Sequence, residues 1–203
     1  MRGQASVDLM IAVTMLVFSI VCASYTIMTM FTPYSGKIID LEASAYRCAM
    51  ILCEDAGLWV TNYDNTRILT TNWYKYLSAS DVGLHLKRIG LANSSTSYLL
   101  KLSYEVRIPC YLNESKVITF FNSSIWKRCF GSSWLSEVAK RIGIDPRFRY
   151  NISLRYMNGS VMKLKGEVLE IGYPLPSTSV VKFERLVTLD KNGGLRRLIV
   201  YVW

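Results

Sequence analysis

From Leu9 to Phe31 the chain carries no charge: 23 apolar, aromatic and small hydroxyl residues in succession. At about 1.5 Å rise per residue this run makes a helix of roughly 34 Å, long enough to cross the hydrocarbon core of a bilayer. Thr32-Pro33-Tyr34-Ser35-Gly36 follows and predicts a kink or short break, because proline lacks the amide donor and crowds the preceding turn. Helical periodicity then resumes. Ile38, Leu41, Ala45, Cys48 and Leu52 recur at steps of three and four, with Asp40, Glu42, Arg47 and Glu54 elsewhere on the wheel. The pattern predicts an amphipathic helix over 37–57, stopped at Gly57, whose apolar stripe lies on the domain that follows.

From 58 to 203 the pattern turns largely to strands. Tyr98 to Ile108 and Val117 to Phe121 bracket a polar turn at Asn113-Glu114-Ser115. Arg149 to Tyr156 and Ser160 to Ile171 flank Asn158-Gly159, a strong hairpin signal. Val180 to Leu189 and Leu195 to Val202 flank the turn cluster at 190–194. Six strands with hairpin connections predict a mainly antiparallel sheet. The fold class expected is therefore α+β: a long apolar N-terminal helix continuing into an amphipathic one, packed on a β-rich head with short helices. An internal echo is also present. Lys87-Arg88-Ile89-Gly90-Leu91 recurs as Lys140-Arg141-Ile142-Gly143-Ile144, each followed by a segment starting with tyrosine, Tyr98 or Tyr150. The offset suggests a duplicated helix–loop–strand unit over 78–106 and 132–156, with coincidence of two helix ends as the alternative.

Charge and sequons locate the head. The formal net charge of +9 comes almost wholly from residues beyond the apolar run. No run of four Lys/Arg sharpens it into a nucleic-acid patch, so a nucleic-acid partner is unsupported and a well-solvated surface is the simpler reading. Asn-x-Ser acceptors stand at Asn93, Asn113, Asn122, Asn151 and Asn158, five of nine asparagines. Glycans at such sites imply an exported, surface-facing domain. Outside the apolar run lie Cys48, Cys53, Cys110 and Cys129, disulfide candidates in an oxidising compartment. Cys48 and Cys53 lie five apart on the expected helix, too far to bridge each other. If that helix is unbroken both must reach Cys110 and Cys129; a break before Cys53 reverses this. CxxC spacing is absent, and no metal or other cofactor is expected.

The N-terminus adds orientation and processing. Arg2, the sole basic residue before Lys37, predicts a cytoplasmic N-terminus and an external head. Asp8 abuts the apolar run; it either snorkels to the headgroups or, if deeper, costs on the order of 2.5–3.5 kcal/mol and needs a cationic partner. A free α-amine at Gln4 would serve. Gly3-Gln4-Ala5-Ser6-Val7-Asp8, followed directly by the apolar helix, resembles the class III signal peptide of archaeal type IV pilin-like proteins. The closing segment Leu195 to Trp203 is also similar to the last strand of many such proteins. The resemblance implies cleavage by a prepilin peptidase after Gly3, leaving Gln4 as the first mature residue. It further implies that Asp8 pairs with the N-terminal amine of a neighbouring subunit, although the usual acid there is Glu. Residues 1–3 would be the leader, 4–31 the membrane and filament-core helix, and other pilin subunits the partners. Secretory cleavage at Val21-Cys22-Ala23 and an uncleaved anchor are the alternatives.

Motifs for catalysis are lacking. His85 is the single histidine, GxSxG and HExxH do not occur, and Glu167 and Glu170 are expected on opposite faces of one strand. The expectation is a non-enzymatic surface filament subunit, minor or tip, serving adhesion or related contact. The alternative is a monomeric membrane-anchored glycoprotein that binds without polymerising.

Overall fold

In a computed structural model the chain is described over residues 2–63, 66–78, 81–99, 102–177, 180–190 and 193–203. Side chains are described over the same residues apart from 2–9, 29–38, 62–68, 95–99 and 102–109. Two compact units are present, Met1–Asp40 and Leu41–Trp203. The first helix, α1 (Arg2–Glu54), makes up the described part of the first unit and supplies the first element of the second. The break expected at Thr32–Gly36 is not found, since the backbone stays helical through Pro33. Proline removes one donor, and the remaining ladder of a 53-residue helix outweighs that single loss.

After α1 come β1 (Leu58–Tyr63), β2 (Thr66–Thr70), a 3-10 turn at Trp73–Lys75, α2 (Val82–His85) and β3 (Leu86–Arg88). Next are β4 (Ala92–Leu99), β5 (Leu102–Leu112), α3 (Glu114–Phe121), α4 (Ser123–Phe130) and α5 (Trp134–Arg141). The chain closes with β6 (Tyr150–Arg155), β7 (Lys163–Leu164), β8 (Glu167–Val168), β9 (Glu170–Gly172), β10 (Val181–Leu189) and β11 (Leu195–Val202). The fold is α+β, with a six-stranded sheet in the order β4-β5-β10-β11-β6-β9. Pairing is antiparallel except between β5 and β10, which run parallel at Tyr111–Thr188 and Leu112–Leu189. A second sheet, β2-β1-β3, and a two-residue ladder, β7-β8, complete the strands among the described residues.

Several sequence expectations need correction. Val117 to Phe121 is helix, not strand, because Asn113 caps α3: its side-chain oxygen accepts from the Lys116 amide at 3.1 Å. The expected strand Tyr98 to Ile108 is divided between β4 and β5, which pair with each other. Around Asn158-Gly159 the turn forms, with the Tyr156 amide donating to the Ser160 carbonyl at 3.0 Å. Its return strand is split into β7, β8 and β9: Lys165 and Gly166, both at positive φ, turn the chain between β7 and β8, and Leu169 separates β8 from β9. The echoed motifs have unlike topology. The first begins in β3 and leads into the β4–β5 pair, whereas the second begins at the end of α5 and leads to β6, which pairs with β11 and β9. Duplication of a structural unit is therefore not supported.

Why the stripe on α1 is apolar becomes clear in the second unit. Leu41, Ala45, Cys48, Ala49, Leu52 and Cys53 are all buried in one core with Trp59, Trp73, Trp126, Tyr150, Leu198 and Val200. Small side chains at 45, 48 and 49 allow close approach, and each fully buried leucine contributes about 1.5–3 kcal/mol. Tyr46 meets Phe183 of β10 edge-on at 5.3 Å between centroids.

Candidate functional site

The feature that sets this chain apart is an apolar helical segment without cover. Met10 to Met28 has a mean hydropathy of 2.1 and none of it is buried. Met10, Phe18, Tyr25 and Met28 are 66–71% exposed. The hydroxyls within it are turned onto the helix's own carbonyls, Thr14 onto Met10 at 2.5 Å and Ser19 onto Met15 at 2.8 Å, with Thr26 donating to Cys22. Such back-bonding lets a polar side chain sit in hydrocarbon at low cost. The segment is long and apolar enough to span a membrane, by length and composition. Gly3, Gln4 and Asp8 lie on α1 ahead of it, and their side chains fall outside the described ones.

The opposite end of α1 is closed by a buried joint. Asp55 is 6% exposed; one carboxylate oxygen accepts from the Gly57 amide at 2.8 Å and the other meets the Arg88 guanidinium at 2.6 Å. The Leu52 and Asp55 carbonyls, two of the orphan acceptors of a helix end, accept from the Leu91 and Ala92 amides at 3.1 and 3.0 Å. Lys116, 1% exposed, donates through Nζ to the carbonyls of Ala56 at 2.8 Å and Ala92 at 3.0 Å. Trp73 closes the cluster, its indole N–H donating to the Gly90 carbonyl at 3.0 Å. Sequence reasoning missed this joint. Its one available signal was a lysine inside the apolar period of 116–121, obscured by reading that run as a strand.

The five sequons differ sharply in setting. Asn151 is buried, and its side-chain amide donates to Glu170 at 2.9 Å and to the Tyr173 carbonyl at 3.0 Å. Asn113 and Asn122 are half-buried helix caps whose amides donate to Asp190 at 3.2 Å and Glu167 at 3.3 Å. Asn93 is a half-buried strand residue paired with Ile108. Asn158 is exposed at a turn tip, its side-chain oxygen accepting from the Ser160 hydroxyl at 2.7 Å. Only this last one stands clear.

All five cysteines are free thiols, so the two bridges expected from the sequence are absent. Cys48 and Cys53 are buried; Cys110 and Cys129 are half-buried. Burial, then the neighbouring Cys110, pushes the Cys53 thiol well above its usual range, and burial raises Cys48 and Cys129 too. The Cys129 thiol donates to the Leu77 carbonyl at 3.4 Å and borders a cavity of about 480 Å³ with Val82, Leu84, Arg128 and Phe130. His85 ends α2, its Nδ1 lying 2.8 Å from the Val60 carbonyl and its ring stacked on Trp59 at 5.5 Å, a structural setting. Glu167 and Glu170 belong to different strands rather than one, engaging Asn122 and Asn151 respectively. Among the described residues no group of three or more His, Cys, Asp or Glu is placed to hold a metal.

Many of the head's basic residues are matched locally. Glu184 takes both Arg197 and Lys182, and the Arg197 guanidinium holds its carboxyl down at about 2. Glu137 takes Arg141 and Lys140, each at 2.7 Å.

No family model matches the sequence, and no curated protein and no solved structure is significantly similar to the chain.

Proposed function

We propose that the chain is an archaeal type IV pilin-like subunit that is trimmed after Gly3 and polymerises through α1 into a surface filament. The observation that carries this reading is the uncovered apolar segment Met10–Met28, preceded by Gly3-Gln4-Ala5-Ser6-Val7-Asp8 in the same helix. So much apolar surface requires lipid before assembly and neighbouring copies after it. In this scheme a prepilin peptidase frees the Gln4 amine, and Asp8 docks against the amine of an adjacent subunit. A buried pair of that kind sets register more than it adds stability. The N-terminus is cytoplasmic and the unit from Leu41 onward faces outward, where it makes the filament's contacts, as a minor or tip component. The protein acts by assembly, with no catalytic role.

N-terminal sequencing and intact mass of the protein from its native membrane test the scheme directly. The expected first residue is Gln4. A chain starting at Met1 would make it an uncleaved, monomeric anchored module, and one starting at Ser24 a secreted protein; either result removes the filament reading. Asp8→Ala should abolish incorporation into filaments while leaving the subunit in the membrane, as followed by shearing and immunoblotting.

A further inference from the structure

Three of the five cysteines come together where α1 meets the sheet. Cys48 and Cys53 lie on the buried face of α1, and Cys110 packs against the same core beside Cys53, close enough for the two thiols to influence each other. Cys110 belongs to a bulge of β5. The β4–β5 register jumps from Ala92–Leu112 to Asn93–Ile108, which leaves residues 109–111 without partners on β4. At the centre of that bulge Cys110 has φ +59, a left-handed conformation that an L-residue other than glycine rarely adopts. The bulge is anchored beside the end of α1, because Leu112 pairs with Ala92, whose amide donates to the Asp55 carbonyl at 3.0 Å. Both backbones are thus fixed independently of the sulfurs, and the strained residue carries its thiol to Cys53.

We infer that Cys53 and Cys110 form an oxidisable pair that closes into a single disulfide between α1 and the β5 bulge, with Cys48 and Cys129 remaining thiols. Cys48 is five residues from Cys53 on one helix, out of bridging reach, and Cys129 is engaged with Leu77. Half-buried Cys110 is the entry point. Its thiolate attacks the disulfide of an oxidised carrier, forming a mixed disulfide and releasing one carrier thiolate. The Cys53 thiolate then attacks the Cys110 sulfur and expels the second carrier thiol. Two protons and two electrons leave the protein, and the carrier's disulfide becomes a dithiol. The inference needs only an oxidising environment and does not rest on filament assembly.

The test uses the full chain, reduced in detergent micelles, then exposed to oxidised glutathione, and alkylated under denaturing conditions before tryptic mapping. Three of five cysteines should be alkylated, and peptides 48–67 and 108–116 should be recovered linked. The link must persist in a Cys48→Ala, Cys129→Ala double variant, and Cys110→Ser must leave all four remaining thiols alkylatable. Five alkylated cysteines in the parent, or a bridge from Cys110 to Cys48 or Cys129, would overturn the assignment. Neither result bears on where the mature chain begins, so the two readings fail separately.

Discussion

Replacing Gly90 with alanine attacks the joint at the end of α1 without removing any polar group. A Cβ at that position would lie 2.1 Å from the Asp55 carbonyl oxygen, 2.5 Å from its carbon and 2.6 Å from the Gly57 nitrogen. All three are backbone atoms, so no side chain can swing aside. To restore the 3.0 Å that real Cβ contacts respect, the two segments must part by roughly 1 Å. Such a movement breaks hydrogen bonds that sit at 3.0 Å now, Ala92 amide to Asp55 carbonyl and Trp73 indole to Gly90 carbonyl. Each buried group left unsatisfied costs about 1–3 kcal/mol, so the expected loss is about 3–5 kcal/mol. Urea unfolding of the full chain in detergent, followed by the fluorescence of buried Trp59, Trp73 and Trp126, should show it. At roughly 2 kcal/mol per molar urea the midpoint falls by about 1.5–2.5 M. Gly193→Ala, with nothing within 4 Å of its Cβ, is the control and should shift it by less than about 0.3 M. A Gly90→Ala midpoint matching that control would refute the claim that the joint is close-packed.

Other consequences are equally direct. The Glu184 carboxyl, held near 2 against an ordinary 4.5 by Arg197 and Lys182, contributes stability that is complete above about pH 4.5 and is lost as pH falls toward 2. Glu184→Gln should flatten the acid limb of a thermal-shift profile over that window, and an unchanged limb would show that the ion pairs are inert. If the head is exported and glycosylated, Asn158→Gln should remove one glycan by mass. Asn151→Gln should remove none and should lower stability by about 1–3 kcal/mol through its lost bonds to Glu170 and Tyr173. Peptide mapping with a glycan at Asn151 and none at Asn158 would contradict the exposure argument.

How much of this was legible in the sequence depends on how local the determining interactions are. The apolar run and the amphipathic stripe of α1 were readable because helical period and absence of charge are local properties, and β10–β11 because the turn cluster lies between two β-branched runs. Helix α3 was not. Val117 to Phe121 has the composition of a strand, and what decides its conformation is the Asn113 cap together with a carboxylate 76 residues away. Asp190 belongs to the loop between β10 and β11, where composition marks it only as a turn residue. In the fold its Oδ1 accepts from the Glu114 amide at 2.9 Å and its Oδ2 from the Asn113 side chain. A negative charge thereby meets the positive end of α3. Its own amide donates to the Leu112 carbonyl at 3.0 Å, extending the parallel contact between β5 and β10. That contact, the one parallel pairing among the described strands, joins segments no hairpin connects, so no local pattern announces it. The joint around Asp55 follows the same logic: its parts come from α1 and the turn after it, the 3-10 turn at Trp73, β3, β4 and α3, and they acquire meaning only when the fold has brought them together. Processing is the reverse case. The cleavage we propose rests on the first eight residues alone, a local pattern that owes nothing to long-range pairing, and for that reason the identity of the first mature residue is the sharpest test of the proposed role.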